Sequence, residues 1–161
     1  MKYIKGFLGL AVLVLFDQLT KYWAMVTLKG KSPIVLWNDV FEFQYLENRG
    51  IAFGLFQNRT IVFVIFTVVI LAVLAYYYYL IPAEKHLFPL RMSLVMLGAG
   101  AVGNLIDRIV NHFVIDFLYF KLIDFPVFNV ADCYVTVSLV LLSCLILFYY
   151  KEEELNFHGK Q

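Results

Sequence analysis

The sequence has 161 residues, of which 62% are hydrophobic and only 16% are charged, and its formal net charge at pH 7 is +1. A soluble domain carries roughly 25% charged residues, so a water-soluble protein of this composition would expose large apolar patches. The low net charge also excludes the broad basic surface of a nucleic-acid-binding protein. The composition therefore predicts an integral membrane protein, and the length suits a single domain.

Four apolar segments are long enough for transmembrane helices, and we predict them at about residues 5–27, 60–81, 90–109 and 130–150. Residues 61–81 contain no charge, and at 1.5 Å per residue they span roughly 30 Å, the thickness of the hydrocarbon core. The first segment begins like a signal peptide. It has no small-residue cleavage site, however, and it contains Asp17 and Lys21, so we predict a retained helix.

The connections between these helices suggest which side of the membrane each one faces. Lysines and arginines are as numerous on one side as on the other, but they are denser in residues 1–5, 82–91 and 151–161. The positive-inside rule then favours cytoplasmic termini. Apolar and polar residues alternate over 41–45 and again near 114–117, which is typical of strands. We therefore predict a small extracytoplasmic β-sheet built partly from the segment 29–59, and a polar, frayed tail over 151–161.

Polar residues recur at helical spacing on one face of three predicted helices. These stripes comprise Asp17, Thr20 and Lys21 in the first helix, Gly100, Asn104, Asp107 and Arg108 in the third, and Asn129, Asp132, Thr136 and Ser143 in the fourth. Ionisable residues inside a membrane are costly and are usually paired or functional. Since each stripe lies toward the outer end of its helix, they predict a polar site near the outer surface.

Carboxylates are the candidates for chemistry at this site. None of the three histidines lies in a stripe, which disfavours a serine–histidine arrangement, and the clustered histidines or cysteines of a zinc site are missing. Two carboxylates that share a proton can activate water and protonate a leaving group. The pattern alone leaves Asp132 equally readable as a helix N-cap, and it favours a solvated loop carboxylate at Asp116.

A transporter or channel is the alternative from another functional class, because intramembrane charges can also mark an ion path. Such a protein would have ionisable residues throughout the depth of the bilayer. The inner halves of the second and fourth predicted helices have none, which favours a localised site over a path.

Five short motifs occur in order along the chain: DQLTK at 17–21, NRGIAFG at 48–54, GNLIDR at 103–108, VIDF at 114–117 and FNVAD at 128–132. Together with the four predicted helices they resemble the lipoprotein signal peptidase (signal peptidase II) family. The resemblance implies an aspartic endopeptidase that removes the signal peptide of diacylglyceryl-modified bacterial prolipoproteins, cutting just before the lipidated cysteine. It implies no metal and no organic cofactor.

The resemblance also assigns roles to residues. Asp116 and Asp132 match the family's catalytic aspartates. The residues expected to bind substrate are Asn48, Gly50, Asn104, Arg108 and Asn129. Asp17 and Lys21 are expected to brace the first helix, and Asp107 to form a structural ion pair with Arg108.

The family's setting completes these expectations. We expect a monomer in the bacterial cytoplasmic membrane that crosses it several times, with cytoplasmic termini and an active site near the outer face. Its partners would be the lipidated prolipoprotein and membrane lipid, with no nucleic acid.

Overall fold

The computed structural model describes residues 2–50 and 60–157. Its helices are α1 (Lys2–Leu28), α2 (Thr60–Leu80), α3 (Phe88–Val110), α4 (Val130–Cys144) and a short α5 (Glu152–Leu155). A π-helical turn, Leu145–Tyr149, extends α4. The first four helices are each long and apolar enough to cross a membrane, with α4 counted together with that turn.

α3 is the central helix and packs against α1, α2 and α4. Two of its glycines make the approach of neighbouring helices possible. A Cβ on Gly100 would lie 2.7 Å from Cγ2 of Val135 in α4, and one on Gly103 would collide with the Asp17 carboxylate of α1. A larger residue at either position would overlap the neighbouring helix. The two glycines therefore let three helices meet closely.

Helix α1 buries a narrow stripe and leaves most of its surface to the lipid. Its buried residues, Gly6, Asp17, Lys21, Ala24 and Leu28, follow helical spacing. Leu8, on the opposite side of the helix, is 56% exposed. The polar stripe predicted for this helix is therefore confirmed as the face that turns toward the other helices.

A three-stranded antiparallel sheet lies beyond one end of the helices. Its strands are β1 (Ile34–Trp37), β2 (Phe41–Asn48) and β3 (Val114–Phe120), in that order, and a 3₁₀ turn, Lys121–Ile123, follows β3. Asn48 pairs with Val114 and Leu46 with Asp116, which brings the end of β2 beside Asp116. The predicted combination of four helices and a small sheet is confirmed. Residues 51–59 of the predicted outer segment lie outside the described residues.

The sheet is seated on the last turns of α1. Ala24 and Leu28 form a buried cluster with Ile115 and Phe117 of β3. The Trp23 ring makes an edge contact with Phe117, their centroids 6.1 Å apart. This apolar contact fixes the height of β3, and so of Asp116, relative to the helices.

The opposite end of the bundle gathers the beginning and the end of the described chain. Lys2 Nζ donates to the carbonyls of Tyr79 (2.9 Å) and Ile81 (2.6 Å), and Tyr150 Oη donates to the carbonyl of His86 (2.8 Å). The expectation of a frayed tail is wrong for residues 152–157. Glu152–Leu155 form α5, and Phe157 packs into the apolar cluster around Ile81 and Leu90, where its ring is shielded from water.

Candidate active site

Asp116 lies on β3 with its side chain buried under the sheet, and only 1% of the residue is exposed. Its Oδ2 accepts a hydrogen bond from Asn48 Nδ2 (2.8 Å), and its Oδ1 accepts one from Asn129 Nδ2 (2.6 Å). Burial, together with the nearby charge of Asp132, raises the pKa of Asp116 to about 7. This carboxyl group can therefore hold a proton near neutral pH.

Asp132 lies in the first turn of α4, where it takes part in a capping box. Asn129 is the N-cap, since its Oδ1 accepts from the backbone N–H of Asp132 (3.0 Å). In return, Asp132 Oδ2 accepts from the backbone N–H of Asn129 (3.1 Å), and Oδ1 accepts from Asn104 Nδ2 (2.8 Å). The N-cap interpretation of Asp132 is thus wrong, because Asn129 occupies that position.

Asn129 joins the two carboxylates. Its side-chain NH₂ donates to Asp116 and to Asn104 Oδ1 (3.1 Å), while its backbone N–H donates to Asp132. Asp132 is therefore hydrogen-bonded to the backbone of Asn129, and Asp116 is hydrogen-bonded to its side chain. The donors are neutral amides, so they fix the positions of the carboxylates without neutralising their charge.

A buried ionic cluster lies directly beneath these residues. Lys21 Nζ pairs with Asp17 Oδ2 (2.9 Å) and Asp107 Oδ2 (3.1 Å), and it donates to Asn104 Oδ1 (2.9 Å). All three charged residues are at most 1% exposed. Asn104 therefore connects Lys21 to Asp132, since it accepts a hydrogen bond from the first and donates one to the second.

Each aspartate of this cluster also holds the backbone next to a candidate catalytic aspartate. Asp107 accepts from the backbone N–H of Ile115 (3.1 Å), which precedes Asp116. Asp17 accepts from the backbone N–H of Ala131 (2.9 Å), which precedes Asp132. These contacts join α1 to α4 and α3 to β3. Helical periodicity cannot reveal them, because their donors are main-chain groups.

The ion pair expected between Asp107 and Arg108 is not formed. Neighbouring residues of a helix point about 100° apart, so Asp107 faces Lys21 while Arg108 faces elsewhere. Arg108 Nη1 donates to the carbonyl of Asn104 (3.1 Å), and its guanidinium lies 5.2 Å from the Phe63 ring centroid. Arg108 is close enough to Asp132 and Asp116 for its charge to act on both.

The remaining predicted positions divide into two groups. Gly50 belongs to the site, since its backbone N–H donates to Asn48 Oδ1 (3.1 Å) and so orients the amide that reaches Asp116. Thr136 and Ser143 are exposed on the lipid-facing side of the α4 segment, so their assignment to the polar stripe is wrong. Both lie beyond the first turn of α4, where the helix no longer faces the cluster.

Among residues 2–50 and 60–157, no group of three or more histidine, cysteine, aspartate or glutamate residues could hold a metal ion. The chemistry available to the described site is that of the buried Asp116 carboxyl group, the half-buried Asp132 carboxyl group, three amides and a guanidinium.

Comparisons with known proteins identify the family of the chain. Residues 10–148 match the sequence model of the family described as signal peptidase (SPase) II. The chain is 42% identical to a lipoprotein signal peptidase of Clostridioides difficile, over 86% of this chain and 91% of the relative. It is 43% identical to one from Caldanaerobacter subterraneus subsp. tengcongensis, over 86% and 92%.

A solved structure shares the fold. The fold superposes on a bacterial membrane enzyme determined by the in meso method at 2.3 Å resolution, with a TM-score of 0.80, 30% identity and 92% coverage of both chains. The chain belongs to the signal peptidase II family of peptidases.

Proposed function

We propose that this protein removes the signal peptide from lipid-modified bacterial prolipoproteins, cutting before the lipidated cysteine, and that Asp116 and Asp132 perform the cleavage. Family membership supports the substrate. The observation that carries the chemistry is the arrangement of two carboxyl groups, buried Asp116 and half-buried Asp132, that both accept hydrogen bonds from Asn129. Two carboxyl groups that bond to the same residue repel each other when both are ionised, so the pair holds one proton.

The surroundings distinguish the two carboxylates. Asp132 lies at the N-terminal end of α4, where the helix dipole favours a negative charge, and Asn104 connects it to the Lys21 ammonium. Asp116 is bonded to two neutral amides. Asp132 is therefore the ionised base, and Asp116 carries the proton.

The reaction then follows general acid–base chemistry. Asp132 removes a proton from water, whose oxygen attacks the scissile carbonyl carbon, and Asp116 gives its proton to the carbonyl oxygen. The tetrahedral intermediate breaks its C–N bond when the proton on Asp132 passes to the leaving nitrogen. As the bond breaks, one hydroxyl of the intermediate returns its proton to Asp116 and the carboxylic acid is formed, so the dyad begins the next cycle with one proton.

The substrate reaches the dyad at the end of the bundle where the sheet lies. Amides at Asn48, Asn104 and Asn129 surround the carboxylates and can bind the substrate backbone without adding charge. Arg108 stands at the same end with a planar fork of donors suited to a carbonyl or lipid ester oxygen. The sheet would cradle the lipidated region while the helices hold the apolar part of the signal peptide.

A cleavage assay on the purified protein tests the function. Diacylglyceryl-modified prolipoprotein is expected to be cut at the bond before the modified cysteine, and mass spectrometry of both products locates that bond. A prolipoprotein whose cysteine is replaced by alanine cannot be lipidated and serves as the control. Cutting at another bond, or equal cutting of both proteins, would refute the proposed specificity.

Arg108→Ala is expected to keep the fold and to weaken cleavage, mainly through a higher KM, because the substrate loses a charge-assisted partner. Arg108→Lys should recover only part of the loss, since an ammonium keeps the charge without the planar fork. Cleavage rates over a range of substrate concentrations, with thermal melting in detergent, test this. Wild-type kinetics in well-folded Arg108→Ala would remove the residue from the binding site.

The orientation proposed for the protein places both termini in the cytoplasm and the dyad near the outer face of the bacterial cytoplasmic membrane. The chain would act there as a monomer formed by one membrane-embedded domain. Lys2 contacts the end of α2, and Tyr150 contacts the connection between α2 and α3. Both contacts support termini on one side of the membrane. Impermeant labelling of tags at the two ends tests this, since labelling of only one tag in sealed cells would contradict it.

A further inference from the structure

A cavity lies between α1, α2 and α3 at the end of the bundle that holds both described chain ends. Its volume is about 340 Å³, within the size range of small-molecule sites. Apolar and aromatic groups line it, among them Gly6, Leu10, Leu74, Ala75, Tyr78 and Val95. Gly6 lies 11 residues before Asp17 on α1, or roughly 16 Å along the helix axis, so the cavity is separate from the aspartate site.

The cavity is bounded at its mouth by a fixed contact between α1 and α2. The Tyr78 side chain lies directly against Gly6, where any Cβ would collide with the ring hydroxyl. The same hydroxyl donates to the carbonyl of Lys2 (3.1 Å). Tyr3 stacks on Tyr79 beside it, with ring centroids 6.2 Å apart. Tyrosines favour the boundary between lipid tails and water, so the mouth lies at head-group level and the interior lies among the acyl chains.

Two cations at this mouth have no acidic partner among the residues that the structure describes. Lys2 Nζ donates to the main-chain carbonyls of Tyr79 and Ile81. Arg91 Nη1 donates to the carbonyls of Pro82 and Glu84. Neither side chain forms a salt bridge with any residue in 2–50 or 60–157. The two cations are also near enough to repel each other, so an anion between them would relieve that repulsion.

We propose that this cavity binds one acyl chain of an anionic phospholipid, whose phosphate head group lies between Lys2 and Arg91. The apolar interior fits a hydrocarbon chain, and the unpaired cations fit a negative head group. Charge also argues against the signal peptide as the occupant. The end of a signal peptide on this side of the membrane is positively charged, so Lys2 and Arg91 would repel it.

Native mass spectrometry of the full-length protein in detergent tests the proposal, with phosphatidylglycerol and phosphatidylcholine of identical acyl chains. The wild type is expected to retain one phosphatidylglycerol about tenfold more tightly than phosphatidylcholine, as two interfacial cations allow. Replacing both Lys2 and Arg91 by glutamine should reduce phosphatidylglycerol binding to the level of phosphatidylcholine. Lys2→Gln alone should lose part of the preference and leaves the Arg91 contacts intact.

Two alanines of α2 offer a matched pair for the acyl chain. Ala75 lines the cavity and Ala72 does not, although both are exposed on the same helix. Ala75→Phe should fill the cavity and abolish lipid retention, while Ala72→Phe should bind like the wild type. Both variants should still cleave prolipoprotein in detergent, which shows that they are folded.

Three results would overturn the proposal. Equal retention of phosphatidylglycerol by Ala75→Phe and Ala72→Phe would show that the lipid binds elsewhere. Equal retention of the two lipids by the wild type would remove the role of the cations. Displacement of the lipid by uncleaved prolipoprotein would assign the cavity to the substrate.

Discussion

Asparagine at either Asp116 or Asp132 is expected to reduce cleavage of lipidated prolipoprotein by roughly 10³-fold or more, because one carboxyl group cannot serve as both acid and base. Asparagine preserves the shape of each side chain and can still accept one hydrogen bond. Both variants should therefore fold and bind uncleaved substrate. Cleavage rates, together with binding of lipidated prolipoprotein to the inactive variants, separate lost chemistry from lost binding.

Asp124→Asn is the matched control for this experiment. Asp124 lies just after β3, is exposed, and adopts a left-handed backbone conformation that asparagine tolerates. Within the described part of the chain, its carboxylate accepts a hydrogen bond from Tyr119 Oη alone (2.6 Å), so its loss should leave cleavage unchanged. Near-normal cleavage by Asp116→Asn, with an inactive Asp107→Asn, would instead mean that Asp107 and Asp132 form the pair.

Asp116→Asn is also expected to change how the stability of the protein depends on pH. The folded pKa of Asp116, about 7, lies above its ordinary value of 3.8. The folded protein therefore binds this proton more tightly than the unfolded chain does, and its stability falls as pH rises from about 4 through 7. Melting temperatures of the wild type should decline over this window relative to Asp116→Asn. Catalysis should decline above pH 7 as Asp116 loses the proton that it gives to the carbonyl oxygen.

Lys21→Met is expected to cause the largest loss of stability of any single change considered. It leaves Asp17 and Asp107 buried without a counter-charge, and breaking a buried ion pair in this way costs about 3–5 kcal/mol. It also removes a donor from Asn104, which holds Asp132, so cleavage should fall as well. Thermal unfolding in detergent measures the first effect, and the cleavage rate of the remaining folded protein measures the second.

Lys29→Met is the corresponding control, since Lys29 also forms an ion pair, with Glu47 at 2.8 Å, but its side chain is 54% exposed. Exposed pairs contribute about 0.2–1 kcal/mol. Combining Lys21→Met with Asp17→Asn and Asp107→Asn removes all three charges and should recover much of the stability. Equal melting temperatures for Lys21→Met and Lys29→Met would show that the buried cluster does not stabilise the fold.

The sequence allowed prediction of the elements whose signals are local. Runs of apolar residues predicted the four helices, and alternation over 41–45 predicted a strand, because both signals depend only on neighbouring residues. Spacing also identified the buried face of α1. The assignment of Asp116 and Asp132 as the catalytic pair depended on the family's motifs, since their pattern alone suggested a loop carboxylate and a helix cap.

What the sequence did not reveal are the partners across helices. Spacing shows that Asp107 and Arg108 lie near one face of α3, but not that Lys21 of α1 stands opposite Asp107. The side of α4 that faces the cluster was likewise misjudged at Thr136 and Ser143, because an apolar helix in lipid gives little contrast between its faces. Phe157 was missed because a single aromatic residue in a polar tail carries no periodic signal.

The ion pair within α1 has a consequence for how the protein enters the membrane. During synthesis α1 emerges before α3 and α4 exist, so Asp107 and Asn104 cannot yet accept the charge of Lys21. Asp17 lies one turn earlier on the same helix, 2.9 Å from Lys21 in the finished protein, and residues at this spacing already face each other in an isolated helix. The first segment therefore brings its own counter-ion into the lipid. A chain with Asp17→Asn would have to insert an uncompensated ammonium, and its defect would arise at membrane insertion, before any active site had formed.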